Sequence, residues 1–193
     1  HLYLTKYNAA EAESIFKDGI AVGQPPSGYY RWGVDAAYVG LAQALDSQFK
    51  PGVDEALEKA LEMNPDNLDV RVYKAFLALK KSRWQEAGNW LEEGLDINPL
   101  YLPLLEMQCA SHFLQEQVSA FEKIRQQILA IKPNNGDLFE RLGDVAASQR
   151  RFDQAIAFFR QALERNPRQD SARASLGINL LRMGQEEEGT QVL

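Results

Sequence analysis

The chain has 193 residues, 45% of them hydrophobic, and a formal net charge of −6. That length suits one or two compact domains, the apolar share excludes a disordered chain, and the acidic total speaks against nucleic acid as the principal partner. A single cysteine, Cys109, excludes an internal disulfide and fits a reducing compartment, which favours the cytoplasm slightly and leaves the periplasm open.

Residues 7–25 come first. Within "AAEAESIFKDGIAVGQP", Ala12, Phe16 and Gly19 share one helical face, so this stretch reads as the second helix of a partial unit. Residues 26–65 form a fuller unit with an overlong opening, because the stretch from Pro25 to Pro65 exceeds the spacing of the corner prolines that come later. A lengthened helix or an inserted corner is expected at 26–33. In residues 68–99, Ala75, Ala87 and Gly94 supply small side chains where two helices would approach, with Leu91 and Trp84 filling between them. Residues 102–133 are the most degenerate unit, with Cys109, Phe121 and Ile128 in the places of those small residues. Residues 136–167 are the clearest. Two amphipathic helices fit 137–149 and 153–165, the first with Phe139, Leu142, Gly143 and Ala146 on one face, the second with Ala155, Ile156, Phe159, Ala162 and Leu163. Residues 170–193 hold a first helix with Leu176-Gly177 and a truncated second one.

The punctuation between these units is regular. Asn64-Pro65, Asn98-Pro99, Lys132-Pro133 and Asn166-Pro167 recur at one constant interval, identical from Pro65 to Pro99, from Pro99 to Pro133 and from Pro133 to Pro167. Each proline lacks an N–H and pushes the residue before it out of the helical region, so a helix ends there. After Pro167, Asp170 or Ser171 is placed to cap the next helix. A fixed period of this size marks stacked repeats, each too small to bury its own apolar face.

The order Phe139-x2-Leu142-Gly143-x2-Ala146-x8-Ala155-x3-Phe159-x2-Ala162-x4-Pro167 resembles the tetratricopeptide repeat, with Phe139 and Ala146 departing from the usual Trp and Tyr. The resemblance covers nearly the whole chain. It implies an all-α fold, a right-handed α-solenoid of antiparallel helix pairs, in which the first helix of each pair lines a concave groove. The family's carboxylate clamp needs Lys and Asn four residues apart on a groove helix. The corresponding pairs here are Tyr38/Ala42, Val72/Phe76, Glu106/Ala110, Glu140/Asp144 and Ala174/Ile178, none of them Lys/Asn, which disfavours that clamp. What the frame places in the groove is Tyr38, Val72, Tyr73, Phe76, Met107 and Phe113 early in the chain, and Glu140, Arg141 and Asp144 later. The expected partner is a protein or peptide, such as an amphipathic helix against the aromatic positions. The same aromatics would serve equally as packing between helices. More distantly, residues 133–189 resemble the helical region of large bacterial multidomain proteins with a peptidase-like domain. No His-Glu-x-x-His motif is present, so no peptidase activity carries over.

No catalytic or metal-binding constellation stands out. Cys109 and His112 lie three residues apart, but two ligands do not make a zinc site. Glu186-Glu187-Glu188 suits the start of a solvated helix. No phosphate-binding glycine loop is found. The expectation is therefore a chain that is not an enzyme and has no cofactor and no metal. No apolar run approaches the roughly 18 residues that cross a bilayer, and no signal peptide is visible, so membrane insertion is not expected. Residues 141–173 carry seven arginines against four acids, a docking patch for an acidic partner or a solvated face with internal ion pairs. The chain starts at His1 and stops within a helical pattern, which would uncover Leu176, Leu180 and Leu181. We expect a fragment of a longer parent, or an end-to-end homodimer through the truncated C-terminal helices. The leading functional reading is a non-catalytic protein–protein interaction scaffold. The alternative is a structural spacer for a catalytic domain elsewhere in the parent.

Overall fold

The structure, a computed structural model, describes residues 8–23 and 33–193. Eleven helices are present among them and no strand: α1 (Ala9–Val22), α2 (Val34–Ser47), α3 (Val53–Met63), α4 (Leu68–Lys80), α5 (Trp84–Ile97), α6 (Leu102–Leu114), α7 (Val118–Ile131), α8 (Gly136–Ser148), α9 (Phe152–Arg165), α10 (Asp170–Arg182) and α11 (Glu186–Val192). The two helices read from residues 136–167 start and stop one residue from their expected limits or less. Two compact units divide at Tyr73/Lys74. Most of the corner expected at 26–33 lies outside the described residues.

Two kinds of turn alternate. At the proline corners, Asn64, Asn98, Lys132 and Asn166 adopt φ of −139°, −142°, −135° and −135°, the extended backbone that a following proline imposes. Three residues on, the N–H of Asn67, Tyr101, Asn135 and Gln169 returns to the carbonyl of that residue and closes the turn. The turns within the pairs do not rest on proline, and of them only the α2–α3 turn contains one, Pro51. There the chain passes through left-handed backbone at Phe49, Ser82, Glu116, Arg150 and Gly184, with φ between 55° and 76°. At each, the next N–H reaches five residues back, for example Arg151 N to Ala146 O at 2.9 Å, while the left-handed residue's own N–H bonds three back, Arg150 N to Ala147 O at 3.0 Å. This double bond satisfies carbonyls that a helix end otherwise leaves open. Four of the five positions carry a side chain that disfavours this backbone.

The capping expected of Asp170 or Ser171 is not found. Gln169 holds the N-cap position of α10 without a side-chain cap, and Asp170, inside the first turn, pairs with Arg173 at 2.9 Å. Asn135 does cap α8, its Oδ1 accepting from Leu138 N at 3.1 Å, and Asn67 Oδ1 accepts from Val70 N in the same way.

In the first unit, α2 packs against both α1 and α3. Gly40 faces the Phe16 ring so closely that a Cβ would collide with it. Glu13 on α1 joins the helices electrostatically. Its carboxylate accepts from Lys17 at 2.6 Å, Lys50 at 2.8 Å and Gln48 at 3.0 Å. Lys17 first, then Lys50, holds its pKa down at about 2.

In the second unit, α8 packs against α9 and also against α6, and α9 packs against α10. Gly143 lets the Phe159 ring rest on the α8 backbone, and a Cβ there would strike it. Leu176 and Leu180 join Ala146, Ala155, Ile156 and Phe159 in one cluster, with Val192 of α11 against it. The exposure expected of Leu176 and Leu180 is thus not found, since α11 packs on α10; only Leu181, at 38%, reaches solvent. In the degenerate unit, Cys109 and Ile128 are fully buried and Phe121 is half-buried beside Phe113, ring centroids 6.0 Å apart. The bulk that replaced small residues was absorbed into the core.

Releasing a left-handed side chain should stabilise the fold. Ser82→Gly is expected to gain up to about 1 kcal/mol, and Gly184→Ala to lose about the same. Thermal or urea unfolding of the two variants checks both signs.

Candidate functional site

The nine residues expected in the groove have different fates. Val72 and Met107 are buried, at 6% and 2% exposure, and offer no contact surface. Phe113 is half-buried and packed. Its ring stands edge-on to Phe158 at 5.0 Å, and the Arg151 guanidinium lies 5.9 Å from its centroid. Tyr38, Tyr73 and Phe76 are half-buried, and the Tyr73 hydroxyl donates to Asp46 Oδ2 at 3.1 Å. Burial, then the Asp46 carboxylate, pushes the Tyr73 hydroxyl pKa up. Glu140, Arg141 and Asp144 are all half-buried on α8.

Glu140 and Arg141 belong to a polar network. Glu106 on α6 is almost fully buried, yet both its oxygens find donors. It accepts from Arg141 Nε and from Asn135 Nδ2, both at 2.7 Å. Asn135 is wholly buried and has two roles, capping α8 with its oxygen and holding α6 with its nitrogen. Gln169 repeats the pattern one period later, its Nε2 donating to Asp137 Oδ1 at 3.1 Å and to Glu140 Oε2. Asn67 does so in the first unit, donating to Asp35 Oδ2 at 2.9 Å beside Asn64, also at 2.9 Å. Burial pulls the Asp35 pKa up, but the bonds from Asn64 and Asn67 together with backbone N–H groups of Ala36 and Asp35 outweigh it, so its net shift is downward.

An amide two residues past a corner proline therefore reaches back to an acid on the first helix of the preceding pair. Sequence reading missed this latch. Its signal was present at Asn67, Asn135 and Gln169, whereas Tyr101 occupies the place at the remaining corner.

Asp144 is different. Among the described residues its carboxyl has neither a hydrogen bond nor an ion pair. Part of the residue meets solvent, but the carboxyl is crowded by protein atoms. That desolvation, with the neighbouring Glu140 adding to it, pushes its pKa up to about 8 against a partial offset from Arg141.

The Arg-rich segment is largely engaged internally. Arg141, Arg151, Arg160 and Arg173 pair with Glu106, Glu116, Glu188 and Asp170, and Arg165 stacks over the Phe139 ring at 4.0 Å. Cys109 and His112 do not converge. The thiol lies 3.7 Å from the Phe121 carbonyl, and burial pushes its pKa up to about 12, while His112 Nδ1 meets Gln117 Oε1 at 2.6 Å. Among the described residues no group of three His, Cys, Asp or Glu side chains is placed to hold a metal, and no helix is long and apolar enough to cross a membrane.

Likeness to known proteins lies in the repeats. Residues 54–101 and residues 136–169 each match a model of the tetratricopeptide repeat. A thermophilic tetratricopeptide-repeat protein of Thermus thermophilus is similar in structure, with a TM-score of 0.60 and 20% identity, over 90% of this chain and 91% of that one. The pilF protein of Pseudomonas aeruginosa is similar with a TM-score of 0.52 and 19% identity, over 82% and 72% of the two chains. At these identities the likeness is one of fold, the helical solenoid.

Asn135→Ala removes a cap and a donor to a buried carboxylate together. It should cost about 2–3 kcal/mol, while Asn134→Ala on the exposed neighbour should cost less than about 0.5 kcal/mol. Urea unfolding measures both. Asp144 adds a pH dependence of known sign. Its folded pKa of about 8 stands above the ordinary 3.8, so the native chain binds the extra proton. Its contribution is full below about pH 4, declines as pH rises, and is gone above about 8. Asp144→Asn should therefore gain stability over the wild type as pH is raised from 5 to 8.5, read as a diverging thermal midpoint.

Proposed function

This chain is a tetratricopeptide-repeat protein, and we propose that it acts as a protein–protein interaction scaffold without chemistry of its own, holding a partner peptide or helix against the first helices of its pairs. One observation carries the reading. On α8 the inward residues Leu138, Phe139, Leu142 and Val145 are consumed by the core, while Glu140, Arg141 and Asp144 stay half-exposed. Such a helix presents polar groups on a rigid support. The half-buried Tyr73 and Phe76 of α4 give the same support for apolar contact.

A spacer role for a neighbouring domain is the second reading. The burial of Val72 and Met107, the packing of Phe113 and the Tyr73–Asp46 bond favour it, because residues expected to meet a partner instead meet their own chain.

A displayed random-peptide library selected on the whole chain separates the two. The scaffold reading expects a recurrent peptide whose affinity falls at least tenfold with Glu140→Ala/Asp144→Ala or with Tyr73→Ala/Phe76→Ala, at unchanged helical circular dichroism. Selected peptides that bind both double variants as well as the wild type would favour the spacer.

A further inference from the structure

The first helix α6 is enclosed in a way that its neighbours are not. α5, α7 and α8 pack on it, and its groove positions Glu106, Met107 and Ala110 are 2%, 2% and 0% exposed. Their counterparts Phe76 on α4 and Glu140, Arg141 and Asp144 on α8 stay half-buried. One bond spans the enclosed helix. Gln149 ends α8, where its own N–H bonds to the Val145 and Ala146 carbonyls. Its side-chain Nε2 donates to the Leu79 carbonyl at 2.8 Å and to the Lys80 carbonyl at 3.3 Å. The last turns of α4 and α8, two pairs apart along the chain, are thus joined past the α6 helix between them. Gln115 holds the same place on α6, yet its side chain turns back to Ser111 of its own helix. The reach of Gln149 therefore follows from the nearness of α4 and not from the residue type.

We infer that Gln149 is a strap: by tying the C-terminal ends of α4 and α8 together it holds the concave face shut over α6, and a partner reaches Met107 only when that bond parts. For its use this device rests on the scaffold reading, to which it adds a closed state; its geometry does not depend on that reading. One amide on two carbonyls is a modest net interaction, which a bound segment can offset. Parting uncovers Met107, whose flexible thioether suits an apolar side chain of the entering segment.

The test needs no partner, so its outcome is separate from that of the peptide selection. It follows the Met107 methyl signal by NMR in the full chain with a soluble paramagnetic relaxation agent, assigned with Met107→Leu. In the wild type this methyl should be protected, while that of Met183, 40% exposed, is relaxed. Gln149→Ala should raise the Met107 relaxation about fivefold, the weight of one lost hydrogen bond on a local opening equilibrium. Gly184→Ala, a loss of similar size at a turn away from the strap, should leave it as in the wild type. Gln149→Asn, one methylene shorter, takes the place of Gln149→Ala should that variant fail to fold. A Met107 methyl relaxed to the same extent with and without the strap overturns the inference. So does an equal rise in Gly184→Ala, which would mark a general loosening of the fold.

Discussion

The rest of the structure depends on the corner where a proline ends one helix pair and an amide ties the next pair to it. Proline can stop a helix but cannot aim the next one. The aim comes from Asn67, Asn135 and Gln169, whose side-chain nitrogens bind acids on the first helix of the preceding pair. In Asn135 and Asn67 the other end of the amide caps the new helix. One short side chain thus fixes both where a helix starts and which older helix it lies beside. This matters because no pair buries its apolar face alone, and stacking in the wrong register would leave Leu138 or Leu142 without cover.

The turns inside the pairs obey the opposite logic. There the backbone itself closes the helix end through a left-handed residue, and side chains beside it, such as Lys50 on Glu13 and Gln149 on the Leu79 carbonyl, add links to other helices. The conformation is kept at Ser82, Glu116 and Arg150 although each disfavours it, and glycine takes the position only at 184. The cost at each turn is small beside the gain of pairing two helices, so the fold tolerates it in successive repeats.

The architecture was legible in the sequence because it rests on spacing. Four prolines at a constant interval located the corners, and the helical period of Phe139, Leu142, Ala146, Ala155, Phe159 and Ala162 named core residues that are all buried. The site was less legible. Periodicity says which face of a helix a residue occupies but not what arrives to cover that face, which is why Val72 and Met107 are buried and Phe113 is packed against Phe158. The latch was invisible for a related reason. Its partners lie almost a full repeat apart along the chain, a relation that exists only once the repeats are stacked. The same holds for Leu176 and Leu180, whose cover is supplied by a seven-residue helix too short to stand alone.

Polar groups at the α6–α8 junction show why such a scaffold is more than a row of helices. An apolar junction would hold two helices together with no response to solution conditions. Glu106 and Arg141 bring charge into that junction, and their bond is worth keeping only while each is fully satisfied, since a buried carboxylate that loses a donor is costly. Asn135 supplies the second donor to Glu106 from the corner that precedes α8. The period demands that a helix lie there, but not that it carry these residues. One repeat earlier along the frame, the positions of Glu106, Arg141 and Asp144 are held by Val72, Met107 and Ala110. Packing alone is met by such an apolar set, so the charged set is a feature of this junction that the repeat itself does not require.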